Sequence, residues 1–175
     1  MKKTVLTFGL ISGAVMAAMM LATLPFVNHI SSARSYILGY TTIVLASLFI
    51  FFGIRSYREN VAGGRLTFGR GFAVGILIAL ISSACYVATW EVIYFNFMPD
   101  FVDKYNAQMI ERAKAAGASP AEIAKKTREG EEFKRMYSNP LYNVGMTFLE
   151  PFPVCLVITL ASAGILRKKA PAQAA

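Results

Sequence analysis

Charge is what this chain has least of. Lys, Arg, Asp and Glu make up 16% of its 175 residues, against roughly 25% in soluble globular domains. Disorder needs low apolar content and high charge, so a 55% apolar composition excludes it. An ordinary soluble domain fits no better. Cysteine is nearly absent, and Cys85 and Cys155 alone cannot build a disulfide framework; inside helices they read as small hydrophobes. The lone His29 excludes a multi-histidine metal site. No nucleophile–base pair, no glycine loop leading into Lys-Ser/Thr and no metal-binding helix motif is present. The expectation is therefore no enzyme and no cofactor. The formal charge of +8 does not point to nucleic acid, because the positives cluster between apolar runs and do not line one soluble face.

Long apolar runs are what the chain does have. About 18 apolar residues suffice to cross a bilayer as a helix, and four runs qualify: residues 4–26, 35–54, 72–98 and 141–166. Hydrocarbon offers a bare backbone no hydrogen bonds, so spans must be helices or closed-barrel strands; these lengths choose helices. The first run follows Lys2 and Lys3 and precedes Ser31-Ser32-Ala33, as a secretory signal would. Its apolar core of about 20 residues exceeds the 7–15 of a signal, so it reads as a first span. The fold class is then all-α: an integral membrane four-helix bundle, one membrane domain over residues 1–175, with the bilayer as its first partner.

Lys and Arg counts tie, nine on each side. With the amino terminus inside, Lys2, Lys3, Arg55, Arg58, Arg65, Arg70, Arg167, Lys168 and Lys169 sit in short segments against helix ends, with Glu59 as the sole acid. Eight of the outer nine lie in the loop 99–139, diluted by seven acids. Because the bias acts most strongly close to helix ends, both termini are expected in the cytoplasm. The inner loop 55–71 contains the turn signal Gly63-Gly64. Its arginines, Arg55, Arg58, Arg65 and Arg70, read as topology anchors or as lipid-headgroup contacts.

The outer segment 99–139 carries its own pattern. From Asp100 to Ala116, residues Phe101, Val102, Tyr105, Met109 and Ala113 share one helical face, and Gly117 is placed to end the helix. Ser119-Pro120-Ala121-Glu122 is a capping box with proline at the first position. It predicts a second helix to about Tyr137 that buries Ile123, Phe133 and Met136, with Gly130 weakening its middle. The pair forms an extracytoplasmic amphipathic hairpin between the third and fourth spans. Its faces pack on each other and on the bundle, or meet a partner or lipid.

Inside the spans, Gly9, Gly13 and Ala17, and again Gly71, Gly75 and Ala79, repeat every four residues. Such ladders let backbones approach closely, between these two helices or between copies in a homo-oligomer. Glu91 and Glu150 interrupt otherwise uncharged runs. A carboxylate in hydrocarbon stays neutral, finds a partner or lines a wet cavity. Glu91 lies 21 positions from Arg70 and Glu150 lies 17 from Arg167, which places both at similar depth, within roughly 6 Å. Pro151 and Pro153 follow Glu150 and should kink the helix. Tyr36, Tyr40, Thr41, Tyr86, Thr89, Trp90 and Asn96 should lie in or near the same outer half, so Glu91 and Glu150 with those hydroxyls are candidates for a proton- or cation-binding pocket. Otherwise Glu91 reaches the outer headgroups, Glu150 ties helices together, and Trp90, Tyr94 and Phe97 serve as interface aromatics.

Gly63-Gly64-Arg65-Leu66-Thr67-Phe68-Gly69-Arg70-Gly71-Phe72, Tyr86-Val87-Ala88-Thr89-Trp90-Glu91, Pro99-Asp100-Phe101, Phe148-Leu149-Glu150-Pro151-Phe152-Pro153-Val154 and Arg167-Lys168-Lys169 stand in this order along the chain. With these stretches the sequence resembles the domain of unknown function 4199 family of bacterial membrane proteins. The resemblance implies a four-helix protein of the bacterial inner membrane and transfers no activity. The function expected is a non-enzymatic structural or accessory role, with another membrane protein or a second copy as partner. The alternative is a small proton- or cation-linked carrier using Glu91 and Glu150.

Overall fold

Backbone groups in hydrocarbon must be satisfied within the segment, and helices carry nearly all of the chain. The computed structural model describes residues 1–24 and 32–168. His29, Pro25 and Phe26 at the end of the first span, part of the Ser31-Ser32-Ala33 signal-like site, the Tyr36 side chain and Lys169 lie outside the described residues. The helices are α1 (Lys2–Thr23), α2 (Ser32–Asn60), α3 (Phe68–Phe97), α4 (Phe101–Ala115), α5 (Pro120–Tyr137), α6 (Pro140–Phe148) and α7 (Pro151–Leu166). Four stretches are long and apolar enough to span: Lys2–Thr23, Ile37–Asn60, Phe68–Phe97 and Pro140–Leu166. The chain is a multi-pass membrane protein.

Two boundaries differ from the sequence reading. The second helix continues through Arg55 and Arg58 to Asn60, so the loop narrows to residues 61–67. Nothing between Arg55 and Asn60 breaks a helix, and Arg55 pairs with Glu59 one turn on at 3.0 Å. The turn comes only at Gly63 and Gly64, whose φ values of +61° and +78° suit glycine. The fourth span is interrupted: Leu149 and Glu150 form a turn between α6 and α7. Pro151 and Pro153 lack the amide hydrogens that would bond the carbonyls four residues back, so the expected kink becomes a break.

The chain divides into two compact units, residues 1–87 with 148–175, and residues 88–147. In the first, α1 packs on α2 and α2 on α7. Its buried faces are rich in small and polar residues: Gly9, Ser12, Gly13 and Met16 on α1, and Pro151, Cys155, Thr159, Ser162, Ala163 and Leu166 on α7. Many large aliphatic side chains also point outward, with Leu10 at 54% exposure, Leu45 at 57%, Val157 at 65% and Ile165 at 73%, while Ile50, Ile54, Val74 and Ile78 are fully buried. Water would penalise that arrangement. Lipid tails do not, because they are as apolar as leucine, and association then rests on close packing and interhelical hydrogen bonds.

The second unit holds the end of α3, the α4–α5 hairpin and most of α6. Helix α4 ends at Gly117 (φ +79°) and α5 opens with the predicted capping box, Ser119 and Glu122 exchanging hydrogen bonds. The buried faces shift from expectation. Val102, Ala113 and Tyr137 are buried, Ile123 and Phe133 are half-buried, and Met109 and Met136 are exposed. The unit closes on an aromatic core of Tyr94, Val102 and Tyr137 with Trp90, Phe101, Phe133 and Tyr142. Gly130 has a packing reason: its carbonyl accepts from Asn106 Nδ2 at 2.8 Å, and a Cβ there would sit 2.9 Å from Asn106 Cγ. Lys134 on α5 pairs with Asp103 on α4 at 2.6 Å.

Candidate functional site

Glu150 takes its position from the prolines that follow it. As the residue before Pro151 it stands at the start of α7, where the helix dipole favours a carboxylate. The Tyr86 hydroxyl on α3 donates to Glu150 Oε2 at 2.8 Å, so the acid joins two helices of the first unit. Tyr40 and Thr41 are not part of this pair. Both face outward on α2, Tyr40 with 51% of its surface exposed.

Glu91 belongs to the second unit, on the last turns of α3. The residue is half-buried, and its shielded Oε1 accepts no hydrogen bond from the described residues. Beside it in sequence, Trp90 Nε1 donates to the Tyr137 hydroxyl at 2.9 Å, and the Trp90 ring meets Phe101 edge-on at 4.9 Å. Trp90 and Tyr94 therefore build the core of this unit, while Phe97, 71% exposed, points outward. Asn143, fully buried, accepts from Thr147 Oγ1 at 3.1 Å and leaves its Nδ2 without a partner among the described residues.

A polar seam inside the first unit escaped the sequence reading. Ser12 on α1 donates to the Ala46 carbonyl on α2 at 2.9 Å. Ser47 on α2 donates to the Ile43 carbonyl at 2.6 Å and lies 3.2 Å from Cys155 Sγ on α7. Ser82, Ser83 and Thr159 are fully buried; Ser82 donates to the Ala79 carbonyl at 3.1 Å, and the Thr159 hydroxyl is unsatisfied among the described residues. Cys155 is thus a buried polar contact as well as a small hydrophobe. A signal was present in the sequence: Cys155, Thr159 and Ser162 recur at helical spacing, the only hydrogen-bonding side chains on an apolar helix.

The two glycine ladders serve different contacts. A Cβ at Gly9 would sit 2.9 Å from Ile81, and one at Gly13 2.5 Å from Cys85 Cβ, so α1 approaches the later turns of α3. Ala17 is half-buried. Gly71 faces Leu66 and Ala163, Gly75 faces Thr159, Ile54 and Ile50, and Ala79 is fully buried. The ladders do not meet each other; each gives a helix room for different neighbours.

At the other end of the unit, Arg55 and Arg58 both bond Glu59, at 3.0 and 3.1 Å, and Arg58 also donates to the Leu166 carbonyl at 3.4 Å. Leu66 and Lys168 exchange backbone hydrogen bonds of 3.2 and 2.8 Å. The loop is pinned to the end of α7, with Arg65 and Arg70 exposed.

A family model described as "Protein of unknown function (DUF4199)" matches residues 7–168. The chain belongs to the DUF4199 family. No curated protein and no solved structure matches it. The DUF4199 match takes in the pinned basic loop, the Tyr86–Glu150 pair, Glu91 and the hairpin. No cluster of three or more metal-ligating side chains occurs among the described residues of this DUF4199 chain.

Proposed function

We propose that this DUF4199 chain is a non-enzymatic structural or accessory protein of the bacterial inner membrane. Its four spans form one bundle, both termini lie in the cytoplasm, and the α4–α5 hairpin stands outside as a protein-facing element. One observation carries the reading: inside the first unit, polar side chains are used to join helices. Ser12 ties α1 to α2, Ser47 meets Cys155 between α2 and α7, and Tyr86 ties α3 to Glu150 at the start of α7. Polar groups engaged in this way hold a bundle together.

A second reading has its own support. Glu150 sits at a break between α6 and α7, and interrupted spans with an acid at the break are how secondary transporters build ion sites. Reconstitution into liposomes with an imposed pH or cation gradient separates the two. The accessory role predicts flux equal to empty liposomes and stoichiometric recovery of a membrane protein on purification in mild detergent. Flux that disappears in Glu150→Gln would replace it with the carrier.

A further inference from the structure

We propose that the basic end of the first unit binds the phosphate of an anionic phospholipid headgroup. Arg58, Arg65, Arg70, Arg167 and Lys168 gather there with Arg55, and Glu59 is the sole acid near them in sequence. The grouping is fixed by geometry. The reciprocal Leu66–Lys168 bonds hold the loop that carries Arg65 against the chain segment that carries Arg167, and Arg58 reaches the Leu166 carbonyl. Glu59 is already engaged by Arg55 and Arg58, which leaves Arg65 and Arg70 exposed and with no carboxylate partner among the described residues. Guanidinium groups match phosphate in charge and in forked geometry. A loop pinned at both ends gives up little freedom when it binds.

A lipid fits this surface better than free phosphate. Val61 and Phe68 flank the same loop with 52% and 43% of their surfaces exposed, and Phe52 lies outward on α2 at 48%. Acyl chains can cover this apolar skirt while the headgroup meets the arginines. The proposal rests on the four helices lying in a bilayer and is independent of which end faces the cytoplasm.

The test uses the full chain in a neutral detergent, titrated with phosphatidylglycerol or phosphatidylcholine and read by native mass spectrometry. Phosphatidylglycerol should bind and phosphatidylcholine should not. Each Lys or Arg near an anionic headgroup corresponds to about fivefold in affinity, so the double variant Arg65→Gln/Arg70→Gln should bind about thirtyfold more weakly. Both side chains are exposed, and unchanged gel-filtration behaviour verifies its fold. Glu59→Gln frees two guanidiniums and should tighten binding about fivefold. Equal binding of the two lipids, or an unaffected double variant, overturns the proposal. So does displacement of phosphatidylglycerol by inorganic phosphate at comparable concentration, which would mark a free-phosphate site. A chain that stays monodisperse without detergent would refute the membrane reading itself, a different result from any of these.

Discussion

Replacing Gly75 by alanine adds one methyl group where three side chains already crowd. The new Cβ would lie 2.7 Å from Thr159 Cγ2, 2.8 Å from Ile54 Cδ1 and 3.3 Å from Ile50 Cγ2. The end of Ile54 can swing aside. Thr159 cannot, because it is β-branched, fully buried and seated on α7, so α3 and α7 must separate by several tenths of an ångström. Overpacking of this kind costs about 1–3 kcal/mol. Alanine also gains about 1 kcal/mol in helix propensity, which would hide part of the loss. Gly164 supplies the control: it is helical, and nothing lies within 4 Å of an added Cβ. The propensity gain cancels between the two, leaving Gly75→Ala less stable than Gly164→Ala by about 1–3 kcal/mol. Thr159→Ser removes the obstructing methyl and keeps the hydroxyl, so it should recover most of the loss in the Gly75→Ala background. Unfolding in mixed micelles with increasing sodium dodecyl sulfate measures the three variants against the parent. If Gly75→Ala is as stable as Gly164→Ala, the close approach of α3 to α7 is wrong.

Other consequences follow from single contacts. Tyr86→Phe deletes the donor to Glu150 and should cost about 1 kcal/mol in the same assay, whereas Tyr40→Phe, on the outward face, should be neutral. Asn106→Ala should destabilise the hairpin by about 1 kcal/mol; it should also make Gly130→Ala better tolerated than in the parent, since it removes the atoms that a Cβ at Gly130 meets. Hydrogen bonds from the Ser119 amide and hydroxyl hold the Glu122 carboxyl below its ordinary value of 4.5. Folded Glu122 binds its proton less readily than unfolded Glu122, so its contribution is complete above that value and fades as pH falls through the lowered one. The protection factors of amides in the first turn of α5, corrected for the pH dependence of intrinsic exchange, should fall on acidification in the parent, and Glu122→Gln should flatten that dependence.

The spans were legible because their signal is cumulative: an uncharged run of 20 residues leaves little choice of environment. The start of α5 was legible for a different reason, since Ser119, Pro120 and Glu122 act within one turn and need no tertiary context. What escaped depends on which face of a helix meets which neighbour. In hydrocarbon the usual cue weakens: Leu10, Val157 and Ile165 face outward while Ile50 and Ile78 are buried, and Ser12, Ser47 and Thr159 turn in beside them. Reading these runs as uniformly apolar hid the seam at Cys155. Glu150 was found from its charge and Tyr86 was one of several hydroxyls expected near it, but only the fold, across 64 residues, singles Tyr86 out as its partner. Tyr40 and Thr41 sit at a fitting depth, which sequence position conveys, but on the outward face of α2, which it does not. Met109 and Met136 were placed inside by periodicity but are exposed, and Tyr137, next to Met136 in the helix, is the residue that faces the core.

The claim beneath all of this is that the outward aliphatic faces of the first unit are solvated by lipid tails. A nitroxide attached through Val157→Cys, with Cys85 and Cys155 replaced by alanine, reports this directly in reconstituted bilayers. Val157 is 65% exposed on α7, so the label should collide readily with dissolved oxygen, which concentrates in hydrocarbon, and hardly at all with a water-soluble nickel complex. Ready collision with nickel and little with oxygen would place that face in water and contradict the account.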